Sequence, residues 1–153
     1  MDIMIINALL DSLMKVFNTM VGIKAVPGVP VAKDDEISRG EVTGMMLMEN
    51  DKTHGSMAIS FSKAAISRIA KNMLGDDLQD IDDTARDLTG EMTNMLVGGA
   101  KKILSEQGMD FNMSTPAVFY GKGHQIQHKF NGQTVILPFN TNSEEFYLEI
   151  NFV

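Results

Sequence analysis

The run from Asp87 to Lys102, Asp-Leu-Thr-Gly-Glu-Met-Thr-Asn-Met-Leu-Val-Gly-Gly-Ala-Lys-Lys, limits what this chain can fold into more than any other stretch. Its apolar residues recur at helical spacing, yet Gly90, Gly98 and Gly99 lie inside it, each costing about 1 kcal/mol against alanine. A helix keeps such residues where a side chain would be in the way. Placed at about 100° per residue, Asp87, Glu91, Asn94, Gly98 and Lys101 fall on one narrow stripe. Ala85, Leu88, Met92, Leu96, Gly99 and Ile103 fall on the opposite one. One face is therefore predicted as core and the other as a polar ridge centred on Glu91 and Asn94, with Gly98 letting another backbone come close.

This is the last of three predicted helices, running from about Asp82 to Gln107 and ended by Gly108. The first covers residues 2–21 and is closed by Gly22, with Ile3, Ile6, Leu10, Leu13, Phe17 and Met20 returning to one face. Asp2, Asn7, Asp11 and Lys15 interrupt that apolar run and no basic leader precedes it, so it reads as a buried amphipathic helix and not as a signal peptide or membrane span. The second starts at a Ser62 cap and runs to Leu74, where Gly75 supplies the stop. Between the second and third, Asp76, Asp77, Asp80, Asp82 and Asp83 lack the ligand spacing of a calcium loop and suit capping of the next helix.

Strand signals fill the rest. The Ala25–Val31 run holds two prolines and suits an edge segment, followed by a solvated loop at Asp34, Asp35 and Glu36. Glu41–Asn50 lacks alternation, as a strand covered on both faces would, whereas Gly55–Phe61 alternates as a half-buried one does. Further strands are predicted at Ala117–Gly121, Gln125–Phe130, Thr134–Phe139 and Glu145–Val153, with a hairpin at Asn131-Gly132. In the last, Phe146, Leu148, Ile150 and Phe152 face one way and Tyr147, Glu149 and Asn151 the other. The sum is an α+β fold, three helices packed on one side of a mostly antiparallel β-sheet, as a single domain over residues 1–153.

Composition then removes function classes. With no cysteine there is no disulfide framework, thiolate nucleophile or sulfur-bound metal, and a reducing cytoplasm is the expected setting. A formal charge of −7 and a pI near 4.8 disfavour nucleic acid. The 13 methionines read as core filler and contact residues in preference to copper ligands. Histidine is confined to His54, His124 and His128, and the last two, if on one strand, stand about 13 Å apart, too far to share a metal ion. Gly121-Lys122-Gly123 lacks the context of a phosphate loop, and no serine–histidine pairing is signalled. The polar ridge remains. Most charged helix faces are merely solvated, but this one carries glycine and pairs a carboxylate with an amide.

Glu91-Met92-Thr93-Asn94, with Asp87 four residues before the glutamate, resembles the Asp/Ser-x-x-x-Glu-x-x-Asn motif of the CheC, CheX and FliY phosphatases. Its single copy, its place in the third helix, the chain length and the flanking strands resemble the CheX type in particular. The resemblance implies a chemotaxis enzyme of two-component signalling, a hydrolase that removes phosphate from the aspartate of a CheY-like response regulator. In it, Glu91 accepts a salt bridge from the lysine beside the phosphoryl group, and Asn94 enters the partner's site and holds a water in line with phosphorus. No cofactor of its own is implied, since magnesium belongs to the partner's site, and a cytoplasmic homodimer with no membrane attachment is expected. Asp87, Gly98 and Lys101 on the same stripe are expected to meet the partner, Gly98 leaving room for its loop. The alternative is a non-catalytic module that binds a regulator or a flagellar-switch component. CheC-like chains resemble a duplication, and shifting the first helix by 80 positions sets Asp11 over Glu91 and Met14 over Asn94, so that the first half lacks the amide.

Overall fold

The structure is a computed structural model that describes residues 3–153. Helix α1 (Ile3–Lys15) runs straight into a π-helical turn, Val16–Val21, which Gly22 closes at φ 73°. Strands β1 (Val26–Pro27), β2 (Val31–Lys33), β3 (Val42–Glu49) and β4 (His54–Phe61) follow, then α2 (Lys63–Leu74) and α3 (Asp83–Glu106). The chain ends with β5 (Asn112–Met113), β6 (Ala117–Tyr120), β7 (Thr134–Thr141) and β8 (Glu144–Phe152). The caps fall where the sequence puts them: Ser62 accepts from the Ala65 amide and Gly75 ends α2 at φ 73°. At α3, the Asp82 carboxylate accepts from the Ala85 amide.

All pairings are antiparallel, in the order β1, β7, β8, β4, β3, β5, with β2 also on β7 and β6 also on β3. This order is a palindrome. Each half of the chain supplies a helix, two short strands and two long ones, and the short strands of each half lie along a long strand of the other. The helices repeat the pattern: Ile5, Ala8, Leu9, Ser12, Leu13, Val16 and Phe17 are buried, and so are Ala85, Leu88, Thr89, Met92, Thr93, Leu96 and Val97, 80 positions later. The three helices share the sheet face presented by Met46, Met57, Ile59, Phe139, Leu148 and Ile150. At the centre, Phe146 is stacked between Phe17 and Phe139, with centroids 4.6 and 4.9 Å away.

Four expectations are corrected. First, the inward face of α1 is turned from the predicted stripe: Ile3 and Met20 are 69% and 55% exposed, Ile6 and Leu10 are half-buried, and Ala8, Leu9 and Ser12 point inward. Close approach to α3 needs small side chains, so Ala8 and Ser12 set the rotation and the bulkier residues move to the flanks. Second, β4 is not half-buried, because Ser56, Ala58 and Ser60 are covered too, as are Glu149 and Asn151 on β8. Third, Gln125–Phe130 forms no strand and Asn131-Gly132 no hairpin; a lone bridge joins Gln125 to Ile37. That segment instead covers the outer sheet face, where Ile126 packs on Met45 and Ala58 and His128 bonds to Ser56. Fourth, the tight turn with positive φ falls between β7 and β8, at Asn142 (φ 59°).

By length and composition the helix Ile3–Val21 is long and apolar enough to cross a membrane. Its buried Ile5, Leu9, Leu13 and Phe17 belong to the same core as α3 and the sheet, which is how the inner helix of a folded domain is packed.

Candidate functional site

Helix α3 is fixed in rotation by two contacts that only glycine permits. A Cβ on Gly44 of β3 would stand 1.8 Å from the Thr93 hydroxyl, and a Cβ on Gly99 would stand 2.2 Å from the Ser12 hydroxyl of α1. The buried hydroxyls at these contacts are satisfied locally. Thr89 and Thr93 donate to the carbonyls one turn back, at 2.8 and 2.7 Å, and Ser12 donates across to the Leu96 carbonyl at 2.6 Å. With sheet and α1 held this closely on one side, the opposite stripe of α3 faces outward.

Asp87, Glu91 and Asn94 are exposed, and Gly98 and Lys101 are half-buried. None of the four side chains makes a hydrogen bond or ion pair with any described residue. Glu91 and Asn94 are about 4.5 Å apart along the axis and point to nearly the same side. The arrangement is a free carboxylate beside a free amide, able to accept from a cation and both to donate and to accept at the amide. The three glycines divide by role. Gly99 makes the helix–helix contact, Gly90 lies 3.5 Å, as a Cβ, from Val118 of β6, and Gly98 has nothing within 4 Å and leaves open space on the ridge. At the N-terminal end the Arg86 guanidinium donates to the Ile81 carbonyl, pairs with Asp83 and lies 4.4 Å over the Tyr120 ring.

The histidines are engaged elsewhere. His124 bonds Thr43 at 2.7 Å; His128 reaches Ser56 at 2.6 Å and Glu149 at 3.1 Å, and Glu149 takes Lys33 at 2.8 Å. Ser56, His128 and Glu149 have the connectivity of a nucleophilic relay, but Ser56 is fully buried and Lys33 neutralises the carboxylate, so this is a closed internal network. On the rim of that outer face, the Arg39 guanidinium and the Ile37 amide hold the Asp35 carboxyl down to about 2. Burial, and then the Glu145 carboxylate, push the Tyr147 phenol up to about 12.

Sequence reasoning missed the surroundings of the ridge. The Arg86–Tyr120 stack joins residues distant in the chain. A groove between the π-helical turn and α3 depends on a backbone distortion with no signature in periodicity.

The comparisons agree with this architecture. The family model for chemotaxis phosphatase CheX matches residues 42–140, more than half of the chain. The CheY-P phosphatase CheX of Thermotoga maritima is 29% identical over 147 residues, covering 95% of this chain and 92% of that protein. The crystal structure of chemotaxis protein CheX from Vibrio vulnificus superposes with a TM-score of 0.89 at 43% identity, covering 97% of this chain and 99% of that one. The CheX chain of a CheX–CheY–BeF3–Mg2+ complex from Borrelia burgdorferi shares the fold at 21% identity, with a TM-score of 0.77 and 96% of each chain covered. The match of the CheX family model over residues 42–140, together with the shared fold, makes this protein a member of the CheX family of chemotaxis phosphatases.

Proposed function

We propose that this protein hydrolyses the aspartyl phosphate of a CheY-like response regulator, and that Glu91 and Asn94 are the two side chains it contributes to the reaction. The observation that carries the reading is their shared state, exposed and without a partner among the described residues, one turn apart on a helix whose rotation is locked. The relative from Thermotoga is named for this activity, and the Borrelia complex holds CheY with Mg2+ and beryllofluoride, a mimic of a phosphoryl group.

In the proposed reaction, Glu91 receives the lysine ammonium beside the phosphoryl group and sets the orientation of the two proteins. Asn94 then stands over phosphorus opposite the aspartyl oxygen. Its carbonyl accepts from a water and its NH2 donates to a phosphoryl oxygen, which places the water in line. The water oxygen bonds to phosphorus as the bond to the aspartyl oxygen breaks, giving inorganic phosphate and the free carboxylate. Phosphoryl transfer asks for position and charge stabilisation above all, so a neutral amide suffices here without a histidine. The Mg2+ belongs to the regulator, and this chain supplies no ligand to it in this reading. Asp87, Gly98 and Lys101 form the surrounding contact surface. We further propose that the domain acts in the cytoplasm as a homodimer, with the exposed Val26 and Val31 of the short edge strands among the apolar surface available for pairing.

The test is the decay of a phosphorylated CheY-like regulator with and without the protein. Asn94→Ala should lower turnover by about 10²- to 10³-fold, the scale for loss of one transition-state hydrogen-bonding group, with an unchanged circular dichroism spectrum. Glu91→Ala should raise KM as well as lower kcat. Turnover by Asn94→Ala equal to that of the parent would refute the assignment, and binding without accelerated decay would favour the non-catalytic interaction module.

A further inference from the structure

The ridge leaves unexplained a groove beside it. Helices α1 and α3 touch at Ser12 and Gly99, and past that contact the π-helical turn opens a groove of about 420 Å³ between them. Its apolar surface comes from Val16 and Met20 on one wall and Met95 and Ile103 on the other. Met20 is 55% exposed, an unbranched apolar side chain left largely in water. Isolated π-turns are rare and concentrate at functional sites. The rim is cationic for most of its length: Lys15 and Lys102 are both exposed, and neither ammonium group has a carboxylate or any hydrogen-bond partner among the described residues. Glu106 lies at the far end. In a chain of net charge −7, two free ammonium groups flanking an apolar groove complement an acidic partner surface.

The groove is continuous with the ridge. Met95 follows Asn94 in sequence, and on the helix Glu91, Met95 and Lys102 lie on the same flank. Lys102 is eight residues beyond Asn94, about 12 Å along the axis, and the bare Gly98 lies between. A domain of about 100 residues has a radius of gyration near 13 Å, so one seated over Asn94 extends past this point.

We propose that the groove receives an amphipathic helix of the response regulator itself. Its apolar side chains would lie against Val16, Met20, Met95 and Ile103, and its carboxylates would face Lys15 and Lys102. This rests on the reading of the ridge as the regulator-docking surface and extends it: the ridge performs the hydrolysis, and the groove selects which regulator is held.

The experiment uses the full chain carrying Lys15→Glu with Lys102→Glu, and separately Met20→Asp. All three positions are exposed, so folding should be retained and is checked by circular dichroism. Two quantities are read: KM and kcat for dephosphorylation, and Kd for a regulator loaded with Mg2+ and beryllofluoride. The double charge reversal should raise both KM and Kd about tenfold, each reversed pair being worth a few-fold, and should flatten their salt dependence, while kcat at saturating regulator stays within about twofold. Met20→Asp should raise both constants without altering the salt dependence. KM and Kd unchanged in both variants overturn the proposal. So does a change in sedimentation of the protein alone with KM unchanged, which would assign the groove to a second copy of the chain. A parent protein that binds the loaded regulator without accelerating its dephosphorylation would defeat the catalytic reading alone, the groove then being judged by Kd. A parent that does not bind it overturns the proposal.

Discussion

Gly98 and Gly99 are neighbours in one helix, and alanine at the two positions should act with opposite sign. At Gly98 a Cβ meets nothing within 4 Å, so Gly98→Ala should gain the full difference in helix propensity, about 1 kcal/mol. For a chain of this size that raises Tm by about 2–4 °C. At Gly99 the same gain is opposed. The new Cβ would stand 2.2 Å from the Ser12 hydroxyl and 3.2 Å from the Ser12 Cβ. Turning the hydroxyl away relieves the first contact but breaks its 2.6 Å bond to the Leu96 carbonyl inside the core, which costs about 1–3 kcal/mol. Moving the two helices apart adds about 1–3 kcal/mol of overpacking. Gly99→Ala should therefore be less stable than the parent by at least about 1 kcal/mol, and less stable than Gly98→Ala by at least about 2 kcal/mol. Urea denaturation followed by circular dichroism measures both, and Ser12→Ala in the Gly99→Ala background should recover part of the loss. A Gly98→Ala protein less stable than the parent would refute the open geometry of the ridge, and a Gly99→Ala protein more stable would refute the close contact. If Gly98→Ala is also a poorer phosphatase while being the more stable protein, the glycine is retained for the partner and not for the fold.

Three further outcomes follow from other parts of the molecule. Lys33→Met leaves the buried Glu149 carboxylate without its cation and should destabilise by about 3–5 kcal/mol in urea denaturation, whereas Lys33→Met with Glu149→Leu should recover most of that loss. The Asp35 carboxyl should titrate at about 2 by NMR and return toward 3.8 in Arg39→Ala. Because folding lowers this value, its contribution to stability is present above the unfolded carboxylate pKa and disappears as pH falls through about 2. Finally, Asp11→Glu with Met14→Asn, built into Asn94→Ala, should fold and remain inactive in the phosphatase assay, because position 14 is half-buried against the core where position 94 stands clear.

Helix α3 was readable because its signals are local: Asp82 caps it, Gly108 ends it, and the spacing of Leu88, Met92 and Leu96 identifies the inner face. The outward pair followed from the same periodicity. Helix α1 shows the limit of that reasoning. It is apolar on several sides, and the choice of face was made by Ser12 meeting Gly99, a partner 87 positions away that periodicity cannot weigh. The 125–130 segment misled for a related reason. Alternating polar and apolar residues suit a strand, but they suit equally an irregular strap whose Ile126 and His128 plug the outer sheet face. The burial of Glu149 and Asn151 follows from that strap, so it too was invisible locally. Around the site, the groove needed both the helix contact and the π-turn, neither of which leaves a pattern in the chain.

The palindromic sheet gives these differences a common cause. Helices α1 and α3 bury equivalent positions, so the fold constrains both to the same inner face and leaves their outer faces free to differ. On the outer face a carboxylate recurs, Asp11 answering to Glu91, but Met14 stands where α3 has Asn94, and Asn18 where α3 has the bare Gly98. The backbones also part: α3 continues to Glu106, while α1 widens into its π-turn at Val16 and stops at Gly22. That widening accompanies the outward turn of Met20, onto the wall facing Met95 and Ile103. The helix that lacks an amide at this position thus still borders the helix that carries Asn94, and in the proposed reaction it would supply the second side of the surface that holds the regulator.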